Sequence, residues 1–526
     1  MLFSTKLLTK GNYARYSLKL FGIFSGVIIL FTTLSALTID LSYDGQGYHQ
    51  ATILALDKGW NPLYEKVQDV KGFKSENTLW VESYPDANAI LALNLFKVTG
   101  NVETGKAISL LLITLSAALG SLALLELKVN KWLAGILLTV VIFNPVNLMQ
   151  VFTLGLDSQF YSILIIFLSL GALIYKKFHP HLSLIGLSIA TILLINNKLT
   201  SVAYALIFSL FVTICLLWSH KYRLFLKTSA ALLLSAAIAL GAYGYHPFVT
   251  NYLDHKSAFY PVYVSRDTND KAYNFYENRP SNFVKENQAT LFFKSIFFKT
   301  NGYFRAPKDA AQYKVPFTFS SSESNAFIFL GPKEGGFGVL FSGIVILLAG
   351  LIFSMLALRK KFNGKKAEVI FVSVSLLWLI ASCIINPLNN AYRYIPQFWL
   401  VIPLILWLSL RFRHRLIISL NVLIFFLIFM NSIMIFHTVA AYNISRSLQL
   451  RSQLHRLSEA SKKETLIVNF SQSEGNEFLL DRYKVKYEAD PRRSSSFKCP
   501  QGLSKEHLLN NIGNSTALVC LNKEHT

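Results

Sequence analysis

The sequence predicts an all-α polytopic membrane protein of about eleven transmembrane helices, with large loops on one side and a small C-terminal α/β domain. Three observations predict it. Apolar runs of about 20 residues recur along the chain, more than any soluble domain needs. Of the 526 residues, 52% are hydrophobic and only 15% charged, and the mean hydropathy is +0.40. The basic excess, a net charge of +22, falls in short segments between the apolar runs. That placement is the positive-inside bias and argues against a nucleic-acid partner.

In order, the predicted spans lie near 20–39, 105–125, 132–150, 157–175, 182–197, 199–218, 226–246, 337–358, 367–386, 394–410 and 415–437. Lys6, Lys10, Arg15 and Lys19 precede the first. Its apolar stretch is longer than a signal-peptide core and no small-residue cleavage site follows, so it reads as a retained anchor. Lys128 and Lys131 follow the second span. Lys176, Lys177, His179 and His181 follow the fourth, and Lys221, Arg223 and Lys227 the sixth. Arg359, Lys360, Lys361, Lys365 and Lys366 follow the eighth, and Arg411, Arg413 and Arg415 the tenth. Every cluster sits at an even-numbered exit, so one orientation satisfies them all: N-terminus inside, C-terminus outside.

Residues 1–437 thus form a transmembrane domain with outer loops 40–104 and 247–336, and 438–526 an outer C-terminal domain. In the first loop, Gln50–Asp57 reads as an amphipathic stretch lying flat on the membrane. Ala87–Val98 is apolar but too short to span, hence interfacial or re-entrant. In the tail, Thr465–Phe470 and Ala517–Cys520 read as strands and Ser504–Ile512 as a short helix. Cys215 and Cys383 lie in spans, where apolar packing accounts for them. Cys499 and Cys520 share the outer tail, where an oxidising compartment favours a disulfide; their spacing fits no metal site.

Polar residues that border spans gather on the outer side. Thr38–His49 brings Asp40, Asp44 and His49 to the end of the first span, where ionisable groups are costly to desolvate. Asp44, flanked by Gly45 and Gly47, reads as a general base, or else as a solvated loop carboxylate or a helix cap for the Gln50 stretch. Asp40 reads as a partner that orients or binds a cation, or as structural. Asp157 opens the fourth span, as a helix cap or a site carboxylate. Lys198, between two apolar runs, is a loop residue or a phosphate holder. Arg393 offers two parallel donors that match phosphate geometry; its alternative is interfacial snorkelling. The 247–336 loop mixes aromatic and basic residues (Phe259-Tyr260-Pro261, Phe292-Phe293-Lys294), suited to sugar faces or to a membrane interface. No nucleotide-binding fingerprint is present, which argues against an ATP-driven pump.

Several segments together resemble the bacterial GT-C glycosyltransferases. Asp44-Gly45-Gln46-Gly47-Tyr48-His49 looks like their Asp-x-x-x-Tyr-His signature after the first span. Tyr84-Pro85 resembles a segment late in their first loop. His246–Leu253 with Ala258–Pro261 resembles the start of their second large loop, and Gly335–Phe341 its close. Tyr392-Arg393-Tyr394-Ile395-Pro396 is similar to their late Arg-Tyr-x-x-Pro segment. The resemblance covers roughly residues 1–437, in a superfamily that includes oligosaccharyltransferases, protein mannosyltransferases and lipid A aminoarabinose transferases.

What the resemblance implies is a bacterial inner-membrane enzyme with periplasmic loops, moving a sugar from polyprenyl (undecaprenyl) phosphate to an envelope glycan or glycolipid such as O-antigen or lipopolysaccharide. Asp44 aligns with the catalytic acid of the family, and Asp40 is the counterpart of a second acidic residue. His49 would orient Asp44 or the donor phosphate. Arg393 and Lys198 would hold that phosphate, with Asp40, Asp157, Tyr84, His246 and Tyr260 toward the substrate. One or two carboxylates suit a divalent cation such as Mg or Mn, though the spacing demands none. Two other readings fit a polytopic chain with charges at its spans: a lipid-linked-sugar flippase, and a polymerase or ligase using a diphosphate-linked donor.

Overall fold

The structure, a computed structural model, describes residues 13–73, 78–264, 279–301, 309–329, 334–490, 496–508 and 517–522. Lys6 and Lys10 ahead of the predicted anchor lie outside the described residues.

Among the described residues, seven helices are long and apolar enough to cross a membrane: Ser17–Ala36, Val102–Glu126, Leu156–Tyr175, Ser201–Trp218, Tyr222–Tyr243, Lys366–Ile384 and Arg415–Ser461. Their outer faces carry Leu18, Leu233, Leu377 and Val422, which are 64–72% exposed. Lipid covers such faces at no hydrophobic cost, whereas water does not.

The other four predicted spans are helices that fall short of this length: Lys131–Ile142, Pro180–Ile195, Phe341–Ala357 and Pro396–Ser409. Local residues cut three of them short. Asn144 accepts a hydrogen bond from the Val146 amide and starts a separate helix, Pro145–Gln150, where the third span is expected to continue. The polar run Asn196-Asn197-Lys198 ends the Pro180–Ile195 helix. Pro396 opens the last of the four on a 3-10 turn, Pro396–Leu400.

Leu156–Tyr175 is buried along nearly its whole length and forms the axis of the bundle. Trp399, fully buried, donates its indole N–H to the Val140 carbonyl at 2.7 Å and ties a late helix to an early one.

Two expectations for the first outer loop part ways. Gln50–Asp57 is a helix, but it does not lie on the membrane surface: Gln50 through Ala55 are buried. Ile53, Leu54 and Ala55 pack with Trp60, Val67, Val70, Phe73 and Val81 in a core of the loop itself. Enough apolar side chains surround this stretch to bury it in protein, so lipid is not needed. Ala87–Thr99 is a helix of 13 residues with Ala92 alone buried, ending at Gly100 in the left-handed region (φ 65°).

The last of the seven, Arg415–Ser461, has 47 residues and runs through the predicted domain boundary at 437. At 1.5 Å per residue it is about 70 Å long, far more than a bilayer core needs. Its far end delivers Leu450, Leu454, Leu457 and Ala460 to the core of the C-terminal domain, so the two domains share one helix.

That domain carries a four-stranded sheet of β1 (Leu466–Asn469), β2 (Tyr487–Ala489), β3 (Leu503–His507) and β4 (Leu518–Asn522), in the order β2-β1-β4-β3. β1 and β2 pair in parallel across the short helix Asn476–Arg482; β4 pairs antiparallel with both β1 and β3. The helix expected at Ser504–Ile512 is instead strand β3, with residues 509–516 outside the described residues. Pairing of Ser504 with Leu521 and Glu506 with Val519 overrides the local helical pattern. Cys499 and Cys520 are disulfide-bonded.

Candidate active site

The first span ends at Ala36, and the chain turns back through Thr38–Ser42 into a π-helical turn, Gly45–His49. Asp40 shapes this turn from beneath. Its carboxylate accepts from the Ser42 amide (2.8 Å), the Ser42 hydroxyl (2.6 Å) and the Leu154 amide (2.7 Å). Gly45 sits directly against it: a Cβ there would overlap the Asp40 carboxylate and lie 2.6 Å from Ser42 Oγ. The glycine therefore clears room for Asp40. Burial pushes the Asp40 carboxyl up to about 6, with Glu103 adding to the rise and Lys106 and the hydrogen bonds opposing it.

Beside Asp40 lies a fully buried pair, Glu103 and Lys106, at 2.8 Å. Glu103 accepts from the Asp40 amide at 2.8 Å, and Lys106 donates to the Thr38 carbonyl at 2.6 Å. These contacts fasten the first loop to the head of the Val102–Glu126 helix. Asp40 thus belongs to a structural latch.

Asp44 follows at the mouth of the turn. It makes no side-chain cap to the helix that follows, so the capping alternative fails. Its Oδ2 accepts from Arg393 Nη1 at 2.8 Å, across 349 residues of chain. Arg393 Nη2 donates to the Tyr394 hydroxyl at 2.6 Å, and Arg393 Nε lies 4.0 Å from Asp157 Oδ2. Asp157 Oδ1 in turn accepts from Lys198 Nζ at 2.6 Å, and Gln150 donates to Asp157 Oδ2 at 3.0 Å. Lys198 also lies over the Phe160 ring at 4.9 Å. The four sequence candidates stand in one row, Asp44, Arg393, Asp157, Lys198, with the charges alternating.

His49 belongs to the same pocket. Its ring packs 4.3 Å from Tyr48 and edge-on to Tyr84 at 6.3 Å. Desolvation pushes its imidazole down to about 4, against the pull of Asp44 and Asp157, so it is neutral at pH 7. Tyr48, Trp80 and Tyr84 form an aromatic wall beside it, with centroids 5.6–6.3 Å apart.

Besides Asp40, two further candidates stand apart. His246 pairs through Nδ1 with Asp86 at 2.7 Å and packs against Trp60 at 5.3 Å. Burial opposes charge on that imidazole, but Asp86 and Glu82 outweigh it and raise the group above its usual range. Tyr260 stacks on His255 at 3.6 Å. Sequence reading missed Asp86, Glu103, Lys106 and Gln150. Asp86 stands ahead of an apolar run, the cue that flagged Asp157, and Glu103 and Lys106 are opposite charges three apart at the head of a span. Gln150 carried no signal.

Among the described residues no group of three or more His, Cys, Asp or Glu side chains gathers as a metal centre needs. Asp44 and Asp157 do not fit a divalent ion in this arrangement, because the Arg393 guanidinium stands between them.

No family model and no curated protein matches the chain. Two solved structures resemble it, both crystal structures of ArnT from Cupriavidus metallidurans. The apo form is 10% identical over 90% of this chain and 86% of that one, with a TM-score of 0.40. The form bound to undecaprenyl phosphate is 11% identical over 90% and 87%, with the same score. A likeness of this degree carries neither fold nor activity to the chain.

Proposed function

We propose that this chain is an inverting, GT-C-type glycosyltransferase that moves a sugar, of hexosyl type, from polyprenyl (undecaprenyl) phosphate to a hydroxyl of an envelope glycan or glycolipid such as O-antigen or lipopolysaccharide. The observation that carries the reading is the row of alternating charges at the ends of the helices. A transfer from a lipid phosphate needs a carboxylate for the acceptor proton and cations for the phosphate, within one pocket at the membrane edge. Asp44 supplies the first, Arg393 and Lys198 the second.

The pairing of Asp44 with Arg393 defines the order of events. The donor phosphate takes Arg393 from Asp44, since a phosphate accepts both guanidinium arms. The released carboxylate then takes the proton of the acceptor hydroxyl. The acceptor oxygen bonds to C1 of the sugar from the face opposite the phosphate, the bond from C1 to the phosphate oxygen breaks, and its electron pair leaves with the polyprenyl phosphate. Arg393 and Lys198 stabilise that leaving charge. His49, neutral, hydrogen-bonds substrate without competing for the phosphate. The aromatic wall of Tyr48, Trp80 and Tyr84 faces the sugar.

A bacterial inner-membrane location with the site outside is part of the proposal. The Cys499–Cys520 disulfide supports it, because such bonds persist in oxidising compartments. Tyr43 O–H donates to Gln472 of the same domain at 2.9 Å, so the disulfide and the Asp44 turn lie on one side of the membrane.

The test is purified protein in lipid nanodiscs with polyprenyl-monophosphate and polyprenyl-diphosphate sugars and a hydroxyl acceptor. Transfer from the monophosphate is expected. Transfer from the diphosphate alone identifies a polymerase or ligase, and lipid translocation without bond formation identifies a flippase; either result overturns the proposal.

A further inference from the structure

The turn that carries Asp44 is held from above as well as from below, and the upper grip comes from the C-terminal domain. Between β1 and the Asn476–Arg482 helix, residues 470–478 reach down onto the first outer loop. Gln472 accepts from Tyr43 O–H at 2.9 Å. The Gly475 amide donates to the Gln46 carbonyl at 3.3 Å. Glu477 pairs with Lys58 at 2.5 Å, and the Phe478 ring packs edge-on against Phe96 at 4.8 Å inside the loop's own core. Tyr43 and Gln46 bracket Asp44 in sequence, so these contacts fall on the backbone that aims its carboxylate.

Gly475 is the tightest point. Its φ of −55° suits any residue, so the position does not need glycine for backbone conformation. It needs clearance. A Cβ there would overlap the Gln50 side-chain amide, lie 2.6 Å from Gln50 Cβ and 3.1 Å from the Gln46 carbonyl oxygen. Gln50 cannot swing away freely, because it donates to the buried Glu103 at 3.3 Å. Any side chain at 475 therefore pushes the Gly45–His49 turn.

We propose that residues 472–478 of the C-terminal domain are a clamp that sets the Asp44–His49 turn, with Gly475 as its positioning residue. The control of transfer rests on the glycosyltransferase reading; the grip on the turn does not. A displacement of about 1 Å of a reacting group costs on the order of 100-fold in rate, so a clamp one turn away governs the reaction without touching substrate.

The test uses the full chain in nanodiscs with two readouts. In Gly475→Ala, hydrogen exchange of residues 43–50 rises while that of 222–238 stays at the wild-type level. The kcat falls about 10- to 100-fold with donor KM within about 2-fold. Lys58→Glu and Glu477→Lys each raise the same exchange; because Lys58 also donates to the Gly72 carbonyl at 2.6 Å, the double swap recovers part of both exchange and kcat, a rescue that simple loss of stability does not give. The swap decides the matter if Gly475→Ala fails to fold. Wild-type exchange at 43–50 in the variants, or a double swap no better than the singles, overturns the clamp. If the wild-type protein transfers no sugar, the glycosyltransferase reading falls and the exchange result still decides whether the turn is held from the C-terminal domain.

Discussion

Asp44→Asn separates the two roles that the proposed reaction gives one carboxylate. The substitution keeps shape and leaves an oxygen for Arg393 Nη1, now 2.8 Å from Asp44 Oδ2. The Asp44 side chain is 22% exposed, so solvent already screens the pair and the stability loss is about 1 kcal/mol. Loss of a positioned base lowers kcat by about 10²–10⁴-fold, equivalent to about 2.7–5.4 kcal/mol in the barrier. Donor binding moves the other way. Arg393 no longer has to leave a carboxylate to meet the phosphate, and about 1 kcal/mol of released competition tightens donor affinity about fivefold. The assay is single-turnover transfer from a polyprenyl-monophosphate sugar, with donor affinity measured separately by equilibrium binding. A properly inserted Asp44→Asn protein with wild-type kcat removes Asp44 as the base. A lost kcat with weaker donor binding refutes the competition between Asp44 and the phosphate.

Arg393→Lys keeps the charge but loses the fork and the second donor, now on Tyr394, and is expected to raise donor KM about tenfold with unchanged expression, read by steady-state kinetics. Lys198→Met leaves Asp157 buried without its 2.6 Å partner and is expected to cost about 3–5 kcal/mol by thermal unfolding, while adding Asp157→Leu recovers much of that loss. Asp40, held at about 6 against the usual 3.8, binds its proton more tightly in the folded protein than in the unfolded chain. Its contribution is therefore full below pH 3.8 and declines as pH rises through about 6, a change of about 3 kcal/mol that should be missing from the stability curve of Asp40→Asn. Cys499→Ser with Cys520→Ser opens a loop with a sequence separation of 21, worth about 3 kcal/mol to the C-terminal domain, seen as earlier melting of that domain with the helical signal of the spans intact.

The membrane class was legible because lipid imposes long apolar runs, and seven of them survive as full-length helices. The other four predicted spans were apolar enough but stop early, and hydropathy averages do not see an Asn144 cap or a polar Asn196–Lys198 break. The row of Asp44, Arg393, Asp157 and Lys198 was legible as four ionisable residues at span borders, a costly placement that chance does not maintain. Their pairing was not, since 349 residues separate Asp44 from Arg393 and no local pattern encodes such a contact. The same limit left the two readings of Asp40 undivided: its partners Leu154, Glu103 and Lys106 come from other segments of the chain. Gln50–Asp57 went astray for a related reason. An amphipathic stretch shows that one face needs cover, but not whether lipid or protein supplies it.

The pairing also accounts for how such a pocket stays folded before a lipid arrives. Two cations suited to a phosphate, both more than nine-tenths buried, repel each other and lack solvent when the phosphate is away. The chain answers with two carboxylates placed alternately between and beside them, so the row carries no net charge. Asp157 is fixed in that role, because it is buried, held by Gln150 and bonded to Lys198. The Asp44 carboxylate is not, because it stands at the end of the row and is partly exposed, and its turn is held by other contacts than the bond to Arg393. The arriving phosphate can therefore replace Asp44 and no other member without leaving a buried charge unpaired. The replaced group is the one that must become a base, so binding of the donor and activation of the acceptor are a single exchange of partners at Arg393.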